Sequence, residues 1–270
     1  MSMTQHGSPG EVAGMPSPLA SAAGNVKLAW FLAVNDLRFR YSRSFIGPLW
    51  IALQMAVFVA MLGVVLAEVH GALISTFMPF FAVSLMFWTF LNTSINESME
   101  SLHGGAELIK DRGVRPIVPV LQAVLRNLLI ALHCLPVPVA VILVFGASSP
   151  MGLLMALPGM VLFIVFTALV SISVAGLGVR FRDLRRIVET AMMLGFLATP
   201  ILWQPGVLRG KGSLVLALNP FAHLFAVWRD PLLDGHWPTA SFFVVSGMIV
   251  LAAIAARLSA RALSRAAFWL

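Results

Sequence analysis

Six stretches run almost without charge for roughly the length needed to cross a bilayer: residues 45–67, 74–93, 117–145, 153–178, 187–203 and 239–256. At about 1.5 Å of rise per helical residue, some 20 apolar residues span about 30 Å of hydrocarbon. Lipid offers the backbone no hydrogen-bond partner, and an α-helix closes its N–H and C=O groups within one segment. The expectation is an all-α membrane protein with six transmembrane helices, the fifth of them short. The totals agree. Of 270 residues, 59% are hydrophobic and 11% charged, against about 25% charged in a soluble domain. A net charge of +7 raises the question of nucleic acid. Here, however, the cations sit in short clusters beside the apolar runs, which points to topology and to no nucleic-acid partner.

Those clusters alternate along the chain. Lys27, Arg38, Arg40 and Arg43 precede the first run; Lys110, Arg112 and Arg115 lie between the second and third. Arg180, Arg182, Arg185 and Arg186 lie between the fourth and fifth, and Arg257, Arg261 and Arg265 follow the sixth. The intervening connections 68–72 and 146–151 have no Lys or Arg. By the positive-inside rule both termini are cytoplasmic in a bacterial inner membrane. The loop after the fifth run breaks the pattern with Arg209, Lys211 and Arg229, but longer loops weigh less. Residues 1–24, rich in Ser, Pro, Gly and Ala with no basic start or long apolar stretch, read as a disordered tail rather than a signal peptide. One transmembrane domain, 25–270, follows. Pro48 falls in the opening turn of the first run, where a missing N–H does no harm. Pro119, Pro136 and Pro138 predict a kink near the far end of the third run. The single cysteine, Cys134, excludes a disulfide within the chain and a Cys-based metal site.

Three segments carry more than topology. "NVKLAWFLAVNDLRFRY", 25–41, has Asn25 as a possible N-cap and Val26, Ala29, Trp30, Ala33 and Leu37 at helical spacing. It is too short to span and too apolar to float free, so it reads as an amphipathic interface helix with Trp30 at headgroup depth. "NESMESLHGGAELIKDRGVRP", 96–116, holds Glu97 and Glu100, a short helix at 98–103, a break at Gly104-Gly105 and a new start at Pro116. "VRFRDLRRIVE", 179–189, sets Asp183 and Glu189 among four arginines. These two loops are either docking elements for a cytosolic partner or positive-inside anchors; the acids favour docking, since anchoring needs none. In the outer loop, 204–238, Asn219 and Pro220 supply a capping side chain and a proline at the first helical position. Asp230-Pro231 marks the expected stop. This apolar helix is either half of a re-entrant hairpin or a helix lying on the outer leaflet.

Arg126, beside Asn127, sits about 14 Å into the third run by helical rise. It is either a functional intramembrane charge or a cation that snorkels to the cytoplasmic interface or pairs with Glu97 or Glu100. No phosphate-binding loop, HExxH or GxSxG occurs, and the histidines form no spaced cluster. The interiors of the runs hold no Asp or Glu, which argues against ion-coupled transport and for a separate energising partner.

The stretch "DLRFRYSRSFIGPLW" resembles the signature of permease subunits of ABC-type polysaccharide exporters, those of lipopolysaccharide O-antigen and capsule-like glycans above all. The resemblance continues through "GGAELIKDRGVRP", "RNLLIALH", "VRFRDLRRIVE", "TPILW", "NPFAHLFAVWRDPLL" and the closing "FWL". It implies six spans preceded by an interface helix, a re-entrant outer helical hairpin between spans five and six, and a homodimer. Two copies of a cytosolic ATP-binding subunit would bind ATP and Mg, and this chain would carry no cofactor, no metal and no enzymatic activity. The substrate implied is a lipid-linked polysaccharide, its pyrophosphate drawn to Arg38, Arg40 and Arg43, with Trp30 and Arg126 as further candidate contacts. Glu97, Glu100, Arg180, Arg182, Asp183, Arg185 and Arg186 would couple to the ATPase. Asn219, Pro220, Phe221, His223 and Arg229 would form the outer re-entrant motif. One position departs: relatives often carry an acid shortly after the histidine of that motif, where this chain has Ala226. Export of a drug or small lipid by the same architecture is the alternative. An intramembrane enzyme acting on lipid-linked sugars would need paired acids or histidines that the sequence lacks.

Overall fold

The computed structural model describes residues 22–42, 47, 49–181, 183–207 and 212–263. These residues form helices and connecting turns, with no strand among them. In chain order the helices are α1 (Ala22–Tyr41), α2 (Leu49–His70), α3 (Ile74–Gly104), α4 (Ala106–Lys110), α5 (Ile117–Cys134), α6 (Pro136–Phe145), α7 (Pro150–Gly178), α8 (Leu184–Ala198), α9 (Gly212–Leu218), α10 (Pro220–Asp234) and α11 (Thr239–Leu263). Five of them are long and apolar enough to cross a membrane: α2, α3, the α5–α6 pair taken together, α7 and α11. The protein is therefore a multi-pass membrane protein. The fifth apolar run appears as α8, whose 15 residues rise only about 22 Å.

Local chemistry explains most of the boundaries. The third run breaks at Leu135, just before Pro136, as its prolines predict. The short helix expected at 98–103 is the end of α3, which stops at the glycine pair. Asn219 caps α10 through its side chain, with Pro220 in the first turn. Two expectations fail. Asn25 is not a cap, because α1 already begins at Ala22 and Asn25 is buried on its packed face. Asp230-Pro231 does not stop α10, which continues to Asp234 and ends at Gly235 in the left-handed region, φ 63°. Pro231 and Leu232 are buried against α7, and that packing outweighs the lost hydrogen-bond donor.

α3 is the hub, packing on α2, α5, α6, α7, α8 and α10. Its Trp88, with Phe163 of α7 and Phe225 and Trp228 of α10, forms the aromatic centre of the largest core cluster. α10 lies unusually close to α7. A Cβ on Gly159 would meet the Val227 carbonyl oxygen at 2.1 Å, and one on Gly152 would meet that of Pro231 at 2.9 Å. Small residues allow such backbone approach between membrane helices, where contact rather than hydrophobic exclusion drives association. At the other end α11 closes on α7, with Ser259 Oγ donating to the Ser173 carbonyl at 3.1 Å.

The packing also sorts the connections. Asp36, Glu97, Glu100, Arg126 and Arg185 gather at one end of the bundle, the basic end. Thr76, Gly146, Gln204 and Asp234 gather around a pocket at the opposite end.

Candidate functional site

At the basic end, α1 docks on α5. Asn25, Ala29, Ala33 and Leu37 recur every four residues and are buried. The stripe expected from the sequence is thus split: Ala29, Ala33 and Leu37 pack on protein, while Val26 and Trp30, with Phe31, face outward. Tyr41 stacks edge-on with His133 at 5.9 Å. Because Asp36 meets Arg126 and Tyr41 meets His133, the two helices advance in the same direction.

Arg126 is the centre of this junction. Its Nη1 donates to Asp36 of α1, and its Nη2 donates to Glu97 of α3 at 2.7 Å. Asn127 Nδ2 donates to the same Glu97 oxygen at 2.8 Å. Only 17% of the Arg126 side chain is exposed, so these are charge-assisted bonds in partly dry surroundings. Glu97 stands about 35 Å along α3 from Ile74. That distance places the triad at one edge of a hydrocarbon layer of about 30 Å rather than in its middle. Of the two sequence readings of Arg126, pairing with Glu97 is what the structure contains. Asp36 was not singled out by the sequence; an acid in an otherwise basic interface helix was the available signal.

Beside the triad a cleft of about 530 Å³ opens between α2, α3 and α5. α2 packs on α3 through Val59 and Ala67 against Phe77 and Phe81, while the earlier residues Ile51, Gln54 and Phe58 line the cleft. Ile51, Phe58, Phe90 and Ile130 supply apolar wall. Gln54, Thr89, Thr93 and Asn127 form a polar stripe, with Glu97 and Arg40 also in its lining. Both threonine hydroxyls donate back to their own helix, at 2.8 Å for Thr89 and 2.7 Å for Thr93, so their lone pairs face the cleft as acceptors. Arg38 and Arg40 are exposed. Arg43 lies outside the described residues. Such a slot, apolar with a polar stripe and an adjacent cation, suits an amphiphile with an anionic head. Among the described residues, no three metal-ligating side chains cluster.

Further toward the basic end, Arg185 of α8 pairs with Glu100 of α3 and, at 2.8 Å, with Glu189. The hydrogen bond that Arg185 donates to Glu189 and the charge of Glu100 raise the Arg185 pKa above its ordinary value. Met99, His103 and Gly178 join them around an open hollow of about 640 Å³. Arg180 lies over the Phe181 ring at 5.4 Å. Arg186 and Asp183 are exposed, and Asp183 makes no side-chain cap to α8. Arg182 lies outside the described residues. Glu97 and Glu100, adjacent in the sequence reading, thus serve different junctions.

Nearer the middle of the bundle Asn219 does two jobs. Its Oδ1 accepts from the Phe221 N–H at 2.9 Å, and its Nδ2 donates to the Ala198 carbonyl at 3.0 Å, tying the start of α10 to the end of α8. Pro220 is exposed, while Phe221 meets Trp88 edge-on at 5.5 Å. His223 bridges Ser241 Oγ at 3.0 Å and the Ala217 carbonyl at 2.9 Å. Arg229, assigned to the outer loop as a charge breaking the positive-inside pattern, is instead buried. Its Nη1 donates to the Pro200 carbonyl at 2.6 Å and to Ser84 at 3.3 Å, and its guanidinium lies 4.2 Å above Phe80. Arg209 and Lys211 lie outside the described residues.

No family model matches the chain. Individual relatives do. Two proteins from Klebsiella pneumoniae named "O-antigen export system permease protein RfbA" are 28% and 27% identical over 220 residues, covering 80% of this chain and 85% of theirs. A third of the same name from Myxococcus xanthus is 29% identical over 217 residues, covering 77% of this chain and 81% of its own. Over most of its length the chain is thus similar to proteins named as O-antigen export permeases. The cleft, the ion-paired junctions and the tightly packed α10 are the features of the structure to which roles can be assigned.

Proposed function

We propose that the chain is the transmembrane subunit of an ATP-driven exporter. It moves a lipid-linked polysaccharide, an O-antigen or capsule-like glycan, across the bacterial inner membrane. It works as a homodimer with two copies of a cytosolic subunit that binds ATP and Mg, and both its termini face the cytoplasm. The observation that carries this reading is the shared name and length of its relatives. The cleft supports it: Arg40 supplies a cation for a lipid pyrophosphate beside a slot that fits an acyl or prenyl chain, and the exposed Arg38 lies two residues before it on α1. Exposed apolar faces on α2, α8 and α11 leave room for a second copy and for lipid. In this reading α8 completes a sixth span with the irregular stretch after it, and α9 and α10 form a re-entrant hairpin. Support for the hairpin comes from depth. Phe225 meets Phe163 at 5.3 Å, about 20 Å along α7 from Pro150, so α10 begins well below the outer surface.

Deleting the gene tests the substrate. Loss of surface polysaccharide is expected, together with co-purification of an ATPase and no ATP hydrolysis by the isolated chain. A second reading, export of a small lipid, draws on the size of the cleft, which holds a lipid tail but no glycan. Unchanged surface glycan with an altered lipid distribution selects it.

A further inference from the structure

Two ion-paired junctions meet on the last turns of one helix. Glu97 of α3 accepts from Arg126 and Asn127, and Arg126 carries the junction on to Asp36 of α1. Three positions further along α3, Glu100 pairs with Arg185 of α8, which also holds Glu189. α1 and α8 share no extended contact among the described residues, since α1 packs chiefly on α5 and α8 on α3 and α7. The charges nevertheless form a continuous path between them, with one turn of α3 as its rigid middle.

The two joints differ in kind. Arg126 is held by two carboxylates at 17% exposure, with its Nε buried and unpartnered. Arg185 and Glu100 are 54% and 52% exposed, and ion pairs in that setting are weak and easily remade. On α1, Arg40 stands one helical turn beyond Asp36, and Arg40 and Glu97 both line the cleft. A movement that reaches Asp36 and Glu97 therefore reaches the cleft.

We propose that the end of α3 is a two-jointed ionic linkage that passes movement of the α8 turn to α1 and the cleft. Asp36, Arg126 and Glu97 are its firm joint, and Glu100 with Arg185 its releasable joint. All five are positioning residues. The purpose of the linkage rests on the exporter reading above, but the linkage itself is a property of this chain and is tested on it.

The test places spin labels at Val26 on α1 and Leu143 on α6, both exposed, in a Cys134→Ser background. The chain is diluted with unlabelled copies in phosphatidylethanolamine–phosphatidylglycerol nanodiscs. Arg185→Glu and Glu100→Arg should each shift or broaden the Val26–Leu143 distance distribution, by the 1–2 Å or so typical of helix shifts. The double reversal should restore it, which a merely misfolded variant would not do. Asp36→Asn should abolish the response of the distribution to Arg185→Glu. Single reversals that leave the distribution unchanged overturn the linkage, as does a double reversal no better than the singles. In cells the same series should lose and then regain surface polysaccharide. If deletion of the gene leaves that polysaccharide intact, the exporter reading fails while the distances still decide the linkage.

Discussion

The two ends of this bundle are held together by opposite means. Away from the basic end α10 lies with its backbone almost against α7, Arg229 is buried under three partners, and toward mid-bundle Trp88, Phe163, Phe225 and Trp228 interlock. At the basic end α11 still closes on α7, but between α2, α3 and α5 a cleft of about 530 Å³ stays open, and charged side chains join α1, α3, α5 and α8. Close packing has few alternative arrangements, because any shift forfeits many short-range contacts. Exposed ion pairs can break and re-form at little cost. The outer end is built to hold, and the basic end to be rearranged.

This contrast can be broken by substitution. The largest effect on stability is expected from Gly159→Leu. Its Cβ would collide with the backbone of Val227, which cannot turn aside as a side chain can. Overpacking usually costs about 1–3 kcal/mol, and here the upper end or beyond is expected. Thermal unfolding in detergent should show a large fall in Tm; an unchanged Tm would mean that α10 is not held as described. Arg229→Ala comes next, because it strips the Pro200 carbonyl and Ser84 of their donor. About 2 kcal/mol is the scale for a lost hydrogen bond to a charged group, and Lys at this position should rescue little because it lacks the planar fork.

A smaller loss is expected for Asp36→Asn. The pair is partly exposed, so about 1 kcal/mol is appropriate after solvent screening, and limited proteolysis should cut α1 more readily than in the wild type. Raising the salt concentration should narrow that difference, since screening weakens the wild-type pair too. The smallest effect on stability is expected for Arg185→Ala, with Tm unchanged within error while export falls sharply. A variant that keeps export removes Arg185 from the coupling role, and one that unfolds the protein removes the distinction between the two ends.

Much of the fold was legible in the residues. Five of the six long apolar runs, the break before Pro136 and the start at Asn219-Pro220 are local signals that appear where they were expected, while the fifth run is only the short α8. The site was legible only in fragments. Arg126 and Glu97 were paired as one of two readings, but Asp36 was missed, since nothing local ties residue 36 to residue 126. Gln54, Thr89 and Thr93 carried no motif, and they became a site only because the packing of α2, α3 and α5 leaves a cleft between them. The burial of Arg229 was not legible, because its partners on α3 and in the turn after α8 lie far from it in the chain.

The residues by themselves determined that this chain lives in a bilayer, that it is helical, and which of its connections share a side. Those properties follow from transfer free energies and backbone hydrogen bonding, which act segment by segment. Only the tertiary structure decided which charges meet, how far α10 reaches along α7, and where a cleft stays open. Those outcomes depend on distances between side chains far apart in the chain, and no local pattern encodes them.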